Sequence, residues 1–123
     1  MPVKPVPDGY HTVTPYIVVE DAGGLIEFMT KAFGGTERVR VDGESGAIMH
    51  AEVEIGDSVV MVASAGANHD TRNAMLHLYV PDIDPMYQRA VEAGGNSLRA
   101  PIDQPYGDRS AGVKDNWGND PKP

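Results

Sequence analysis

Residues 14–35 read TPYIVVEDAGGLIEFMTKAFGG, and residues 74–95 read AMLHLYVPDIDPMYQRAVEAGG. Each has an apolar run, an acidic break, a stretch with helical spacing and a terminal Gly-Gly. Asp21 corresponds to Asp82, Gly34-Gly35 to Gly94-Gly95 and the turn Gly56-Asp57 to Gly118-Asn119, at offsets of 61, 60 and 62 residues. An internal repeat of this length means that one supersecondary unit occurs twice. Asp21 and Asp82 or Asp84 are suited to cap helices, Pro85 suits a first helical turn, and each Gly-Gly pair suits a left-handed helix end. Leu25, Ile26, Phe28, Met29 and Phe33 share one helical face, as do Met86, Ala90, Val91 and Ala93.

Beyond the first helix come TERVRV, the alternating run IMHAEVEI and, after Gly56-Asp57, SVVMVAS. The first copy is therefore strand, helix, strand, strand, strand. The second runs MLHLYV, helix, NSLRAPI and RSAGVKD to a turn, WGNDPKP, with no counterpart of SVVMVAS in the sequence. The fold predicted is α+β: two βαβββ modules whose curved mixed sheets surround a cavity, the second module lacking its final strand. Module one spans about 10–64, a linker 65–73 and module two 74–119. The absent strand is expected to leave two strand edges unpaired, at a cost in stability.

At 123 residues, 41% hydrophobic and 23% charged, the chain has the composition of one soluble globular domain. The absence of cysteine excludes disulfides, thiolate metal sites and cysteine nucleophiles. A formal charge of -8 with only ten scattered basic residues argues against nucleic acid or an anionic membrane as partner. MPVKPVPDGYHTV at the start is neither a signal peptide nor a membrane span, so a cytoplasmic location is expected.

Alternation in IMHAEVEI places Met49, Ala51, Val53 and Ile55 on one face and His50, Glu52 and Glu54 on the other. If the apolar face meets the helices, the polar face looks into the cavity, with Thr14, Tyr16, His77 and Tyr79 on the equivalent faces of their strands. Three readings compete for this set. His50, Glu52 and His77 give two imidazoles and a carboxylate, a donor set for Zn, Ni, Fe or Mn. The same groups could do metal-free acid-base work, with Glu52 taking a proton and a histidine such as His50 returning it. The third reading is a ligand-lining or merely solvated polar face; no metal or other cofactor is favoured. In PYGDRSAG, Tyr106 could stack on a ligand while Arg109 pairs with an anionic group oriented by Asp108; alternatively, Gly107-Asp108 is a turn and Arg109 bridges to a nearby carboxylate. Trp117 reads as a plug under the last turn or a ligand platform. His11 and His69 lie in loop-like sequence, and neither a phosphate loop nor a Gly-x-Ser-x-Gly elbow occurs.

The segments TPYIVVEDAGGLIEFMTKAFGG, IMHAEVEIGDSVVMVA, LHLYVPDID and YGDRSAGVKDNWGN, in this order, resemble the vicinal oxygen chelate superfamily of glyoxalase I, bleomycin- and fosfomycin-resistance proteins and extradiol dioxygenases. The resemblance covers roughly residues 10–119 and is greatest to the PhnB-like branch. It implies an incomplete barrel of two curved sheets with helices outside, and assembly of chains in pairs. In metal-dependent members it places ligands at positions that are Thr14, His50, Met75 and, near the end, Lys122 here. Thr, Met and a protonated Lys make a poor set for a divalent ion. Where the branch reads Asp-Pro-Phe-Gly-Asn before an apolar strand, this chain reads Asp115-Asn116-Trp117-Gly118-Asn119 and then DPKP. The expectation is a small-molecule-binding protein, metal-independent and homodimeric, with strand exchange as one way to fill the open position. The alternatives are a metal-dependent lyase, isomerase or dioxygenase, and a truncated, inactive member.

Overall fold

The computed structural model of the chain describes residues 5–66, 70–105 and 107–115. Apart from the expected strand before the second helix, the elements follow the predicted order: β1 (Tyr16–Val19), α1 (Ala22–Phe33), β2 (Thr36–Asp42), a short 3-10 turn (Glu44–Gly46), β3 (Ile48–Ile55), β4 (Ser58–Ser64), α2 (Ile83–Glu92), β5 (Asn96–Asp103) and β6 (Arg109–Lys114). Asp21 caps α1 by accepting the Gly24 N–H at 3.0 Å. Gly34 ends that helix at φ 70°, a conformation that only glycine adopts without cost, and donates to the Thr30 carbonyl at 3.1 Å. At α2 the cap is Asp82 by position, but its side chain makes no capping hydrogen bond.

The first module is a four-stranded mixed sheet in the order β1-β4-β3-β2. β4 runs parallel to β1 and antiparallel to β3, so it lies inside the sheet. Ile17, Val19, Ala51, Val53, Val60 and Val62 turn to Leu25, Ile26, Phe28 and Met29 of α1, and together they form the buried core. This is the face that the alternation of β3 predicts, with one correction. The β2–β3 register shifts between Val41 and Asp42, which pair with His50 and Ile48. Met49 is the residue skipped, and it is 58% exposed while Ile48 is 3% exposed. A bulge of this kind exchanges the two faces locally.

The second module is thinner. β5 and β6 form a two-stranded antiparallel sheet, and only Ala90 of α2 is fully buried. Residues 75–80, expected as its first strand, belong to no strand. Their alternation survives, since Leu76, Leu78 and Val80 are half-buried whereas Met75 and Tyr79 are 96% and 86% exposed. A strand is a ladder as well as an extended chain. β1 finds its ladder on β4, and no counterpart of β4 lies among the described residues of the second module. The segment is held at its start instead, by reciprocal 2.9 Å hydrogen bonds between Arg72 and Val18 at the edge of β1. Between residues 74–78 and β6, against α1, lies an apolar cavity of about 470 Å³ lined by Leu25, Phe28, Phe33, Leu76, Leu98 and Val113 among others.

Candidate functional site

Strand register brings the polar residues together on the sheet face away from α1. Tyr16 pairs with Met61 across β1–β4, and Met61 pairs with Glu52 across β4–β3. The three therefore form one row, and His50, two residues from Glu52, points the same way. The Tyr16 hydroxyl lies 3.1 Å from His50 Nδ1, and His50 Nε2 lies 3.0 Å from Glu52 Oε2. Tyr10, from the segment before β1, donates its hydroxyl to Glu52 Oε1. The Arg38 guanidinium sits 5.0 Å above the Tyr10 ring, and its Nη1 donates to the Gly9 carbonyl at 3.3 Å, fastening this segment to the sheet.

Donor and acceptor counting places a proton on His50 Nε2. An ionised carboxylate only accepts, so His50 Nε2 carries the hydrogen that Glu52 receives. When the ring is neutral, Nδ1 is bare and accepts from the Tyr16 phenol; when it is protonated, both nitrogens donate. Glu52 is 6% exposed whereas Tyr16 is 41% exposed, so the chain Tyr10–Glu52–His50–Tyr16 runs from a buried carboxylate to an accessible phenol. Burial alone pushes the Glu52 carboxyl up. Hydrogen bonds from Tyr10 and His50, with the charges of His50 and Arg38, outweigh it and hold the group below its ordinary 4.5. The hydrogen bond to Glu52, followed by burial, pushes the Tyr10 phenol up.

A lowered carboxyl stabilises the fold fully above its unfolded-state value, and that contribution is lost as pH falls through the lowered value. The stability that Glu52 supplies should thus be intact above about pH 5 and disappear through the acid range below 4.5. Tyr10→Phe removes one donor to the carboxylate and raises its folded-state value, so the acid limb of a urea-midpoint titration, which begins at the unfolded-state value in both proteins, should be smaller and end at higher pH. An unshifted limb would show that Tyr10 does not support Glu52.

The other expected residues do not join this chain. His77 and Tyr79 stack edge-on to one another, 4.9 Å between ring centroids, on the exposed side of 75–80. Thr14 makes only a 3.5 Å contact to the His11 carbonyl. Among the described residues no three His, Cys, Asp or Glu side chains are grouped so as to hold a metal ion, so His50, Glu52 and His77 do not form the trio expected from sequence. Both His50 nitrogens are engaged, and Met75 of the set implied by resemblance is 96% exposed. Arg109 follows the structural alternative. Its Nε and Nη2 donate to the two Asp84 oxygens at 3.0 Å each, and Nη1 donates to Asp103 at 3.2 Å. Those bonds push its pKa up, and they occupy the fork that an anionic ligand would use. Gly107-Asp108 is the turn: the Asp108 carbonyl accepts from Gln104 N–H at 2.6 Å and the Gln104 carbonyl from Gly107 N–H at 3.0 Å. Tyr106, Trp117 and Lys122 lie outside the described residues. The apolar cavity beside β6 is not part of this site, since Ile17, Leu25, Phe28 and Met29 in its wall lie on the α1 side of the sheet.

A strand-helix-strand-strand-strand unit followed by a second helix and antiparallel strand pair fits a glyoxalase-like fold. Residues 10–120 match the model of the glyoxalase/bleomycin resistance protein/dioxygenase superfamily, and the chain belongs to that superfamily. Uncharacterised proteins of Mycobacterium bovis and Mycobacterium tuberculosis are 35% identical over 118 residues, covering 87% of this chain and 78% and 69% of theirs. Among solved structures, TioX from Micromonospora sp. ML1 superposes with a TM-score of 0.68 at 25% identity, covering 86% of this chain and 90% of TioX. The PhnB protein of Bacillus cereus gives 0.66 at 17% identity, over 88% of this chain and 94% of its own, a likeness of fold alone. No described helix is long and apolar enough to cross a membrane.

Proposed function

We propose that the chain is a small-molecule-binding protein that receives its ligand on the polar face of β1–β4–β3 without a metal. The observation that carries this reading is the chain of hydrogen bonds from buried Glu52 through His50 to accessible Tyr16. Polar groups ordered on a concave sheet face give a ligand orientation, and the neighbouring aromatic surface gives it affinity. Aromatic or polycyclic compounds suit Tyr16 and Tyr10. A cytoplasmic homodimer, in which one cup covers another, belongs to the same proposal. It predicts a dimer by light scattering.

Thermal-shift screening of aromatic metabolites and antibiotics tests the reading. A compound present at a hundred times its Kd stabilises by about 2.7 kcal/mol. At least one compound should raise the unfolding temperature of the wild type and lose that effect on Tyr16→Ala. A screen with no stabilising compound, or a shift that survives Tyr16→Ala, would count against it. Elemental analysis of protein purified without a chelating tag decides the metal-dependent alternative: stoichiometric Zn, Ni, Fe or Mn would replace the metal-free reading.

A further inference from the structure

We propose that Tyr16 is an acid-base group, and that Glu52 and Tyr10 orient His50 to take and return its phenolic proton. The inference rests on this face being the ligand site and assigns it a chemical capacity. Three features of the geometry carry it. First, the Tyr16 hydroxyl and His50 Nδ1 are 3.1 Å apart, within the reach needed for proton transfer between a phenol and its base. Second, the far side of the imidazole is fixed by Glu52 at 3.0 Å, which selects the tautomer with Nδ1 bare and stabilises the imidazolium that forms when the proton arrives. Third, the carboxylate is itself fixed on its other oxygen by Tyr10, and it is 6% exposed, so water does not compete for it. A carboxylate, an imidazole and a hydroxyl in line form the arrangement by which a base activates a weak nucleophile, here with a phenol as the working end.

Protons balance in each direction. As Tyr16 Oη bonds to an electrophile or to a ligand proton, its own proton moves to His50 Nδ1, leaving an imidazolium held by Glu52; the reverse transfer restores the ring. The ligand class is therefore one that presents an exchangeable hydroxyl, or an oxygen that accepts a proton, to Tyr16. Tyr10 and His50 do not compete for this role. Tyr10 points its hydroxyl at Glu52, and both nitrogens of His50 are engaged.

N-acetylimidazole, whose acetyl group passes to phenols as the acyl C–N bond breaks and a phenol ester forms, measures the effect without a known substrate. The phenol proton leaves through His50 and the released imidazole is protonated from solvent. Site-resolved mass spectrometry should find Tyr16 acetylated at least ~10-fold faster than Tyr79, a modest share of the ~10²–10⁴-fold a positioned acid or base contributes in an enzyme. Tyr79 is 86% exposed against 41% for Tyr16, so exposure alone predicts the opposite order. His50→Gln and Glu52→Gln should each bring Tyr16 down to the Tyr79 rate or below while Tyr79 is unchanged. Equal or slower labelling of Tyr16 in the wild type would overturn the proposal, as would a Tyr16 rate insensitive to both substitutions. A parallel rise at both tyrosines in the variants, the mark of a loosened fold, would also contradict it. The ligand reading stands or falls separately on the thermal-shift screen, which does not depend on proton transfer.

Discussion

Phe28→Ala is expected to cost about 3–5 kcal/mol, the range for removing a large aromatic side chain from a packed core. The ring is 3% exposed, meets Phe33 edge-on with centroids 5.7 Å apart, and belongs to the one cluster that also contains Ala90 of α2. It is thus a core residue of the first module and part of its junction with the second. It also lines the cavity of about 470 Å³, so truncation enlarges an existing void instead of opening one that the surroundings can close. For a domain of this size the midpoint of thermal unfolding should fall by roughly 10–20 °C. Phe28→Leu should recover more than half of that loss. Circular dichroism melts of the two variants decide the matter, and an alanine variant within a few degrees of wild type would show that the modules do not meet through this ring.

Gly95→Ala should cost about 1–3 kcal/mol by overpacking the same junction from the other side. A methyl group on Gly95 would lie 2.4 Å from Val113 Cγ1, 2.9 Å from the Ala90 carbonyl oxygen and 3.2 Å from Phe28 Cε1. Val113 can move, but the Ala90 carbonyl cannot retreat without losing the 2.9 Å hydrogen bond it accepts from Gly95 N–H. Val113→Ala in the same chain should therefore relieve part of the cost and not all of it. Gly34→Ala tests a different mechanism. No atom crowds that position, and any loss comes from its left-handed backbone alone.

These two sites show why part of the fold was legible in the sequence. The Gly-Gly pairs at 34–35 and 94–95 mark helix ends in any reading, and the apolar periodicity of Leu25, Ile26, Phe28 and Met29 could serve only one face. The repeat supplied the order of elements in the same way. Tertiary pairing decides what local pattern cannot. Met75 to Val80 alternates like a strand, yet forms none, because a ladder requires a neighbouring backbone as well as alternation. The bulge at Met49 is equally invisible, since it depends on how β2 meets β3.

The site divides along the same line. His50, Glu52 and Tyr16 were accessible to sequence reasoning because two of them alternate on one strand and the third begins another. Tyr10 was missed: it sits in DGYHT, a stretch without periodicity, and nothing there signals that its hydroxyl will reach a carboxylate 42 positions away. Arg38, which holds Tyr10 in place, reads as an ordinary surface cation. His77 was assigned to the cup by alternation, but among the described residues its segment has no strand partner to carry it there. Arg109 has two carboxylates within reach, one of them 25 positions earlier, a pairing that only the fold brings about.

At the centre of the site, Glu52 holds the His50 ring in one orientation through Nε2. Nitrogen-proton correlation spectra of protein labelled with ¹⁵N-histidine, recorded near pH 8.5 where imidazoles are ordinarily neutral, observe that bond directly. His50 should show an Nε2-bound proton slow enough in exchange to be seen, with Nδ1 unprotonated and accepting, and Glu52→Ala should abolish that signal. A His50 ring protonated on Nδ1, or an Nε2 proton indifferent to Glu52→Ala, would contradict the arrangement on which the proposed site rests.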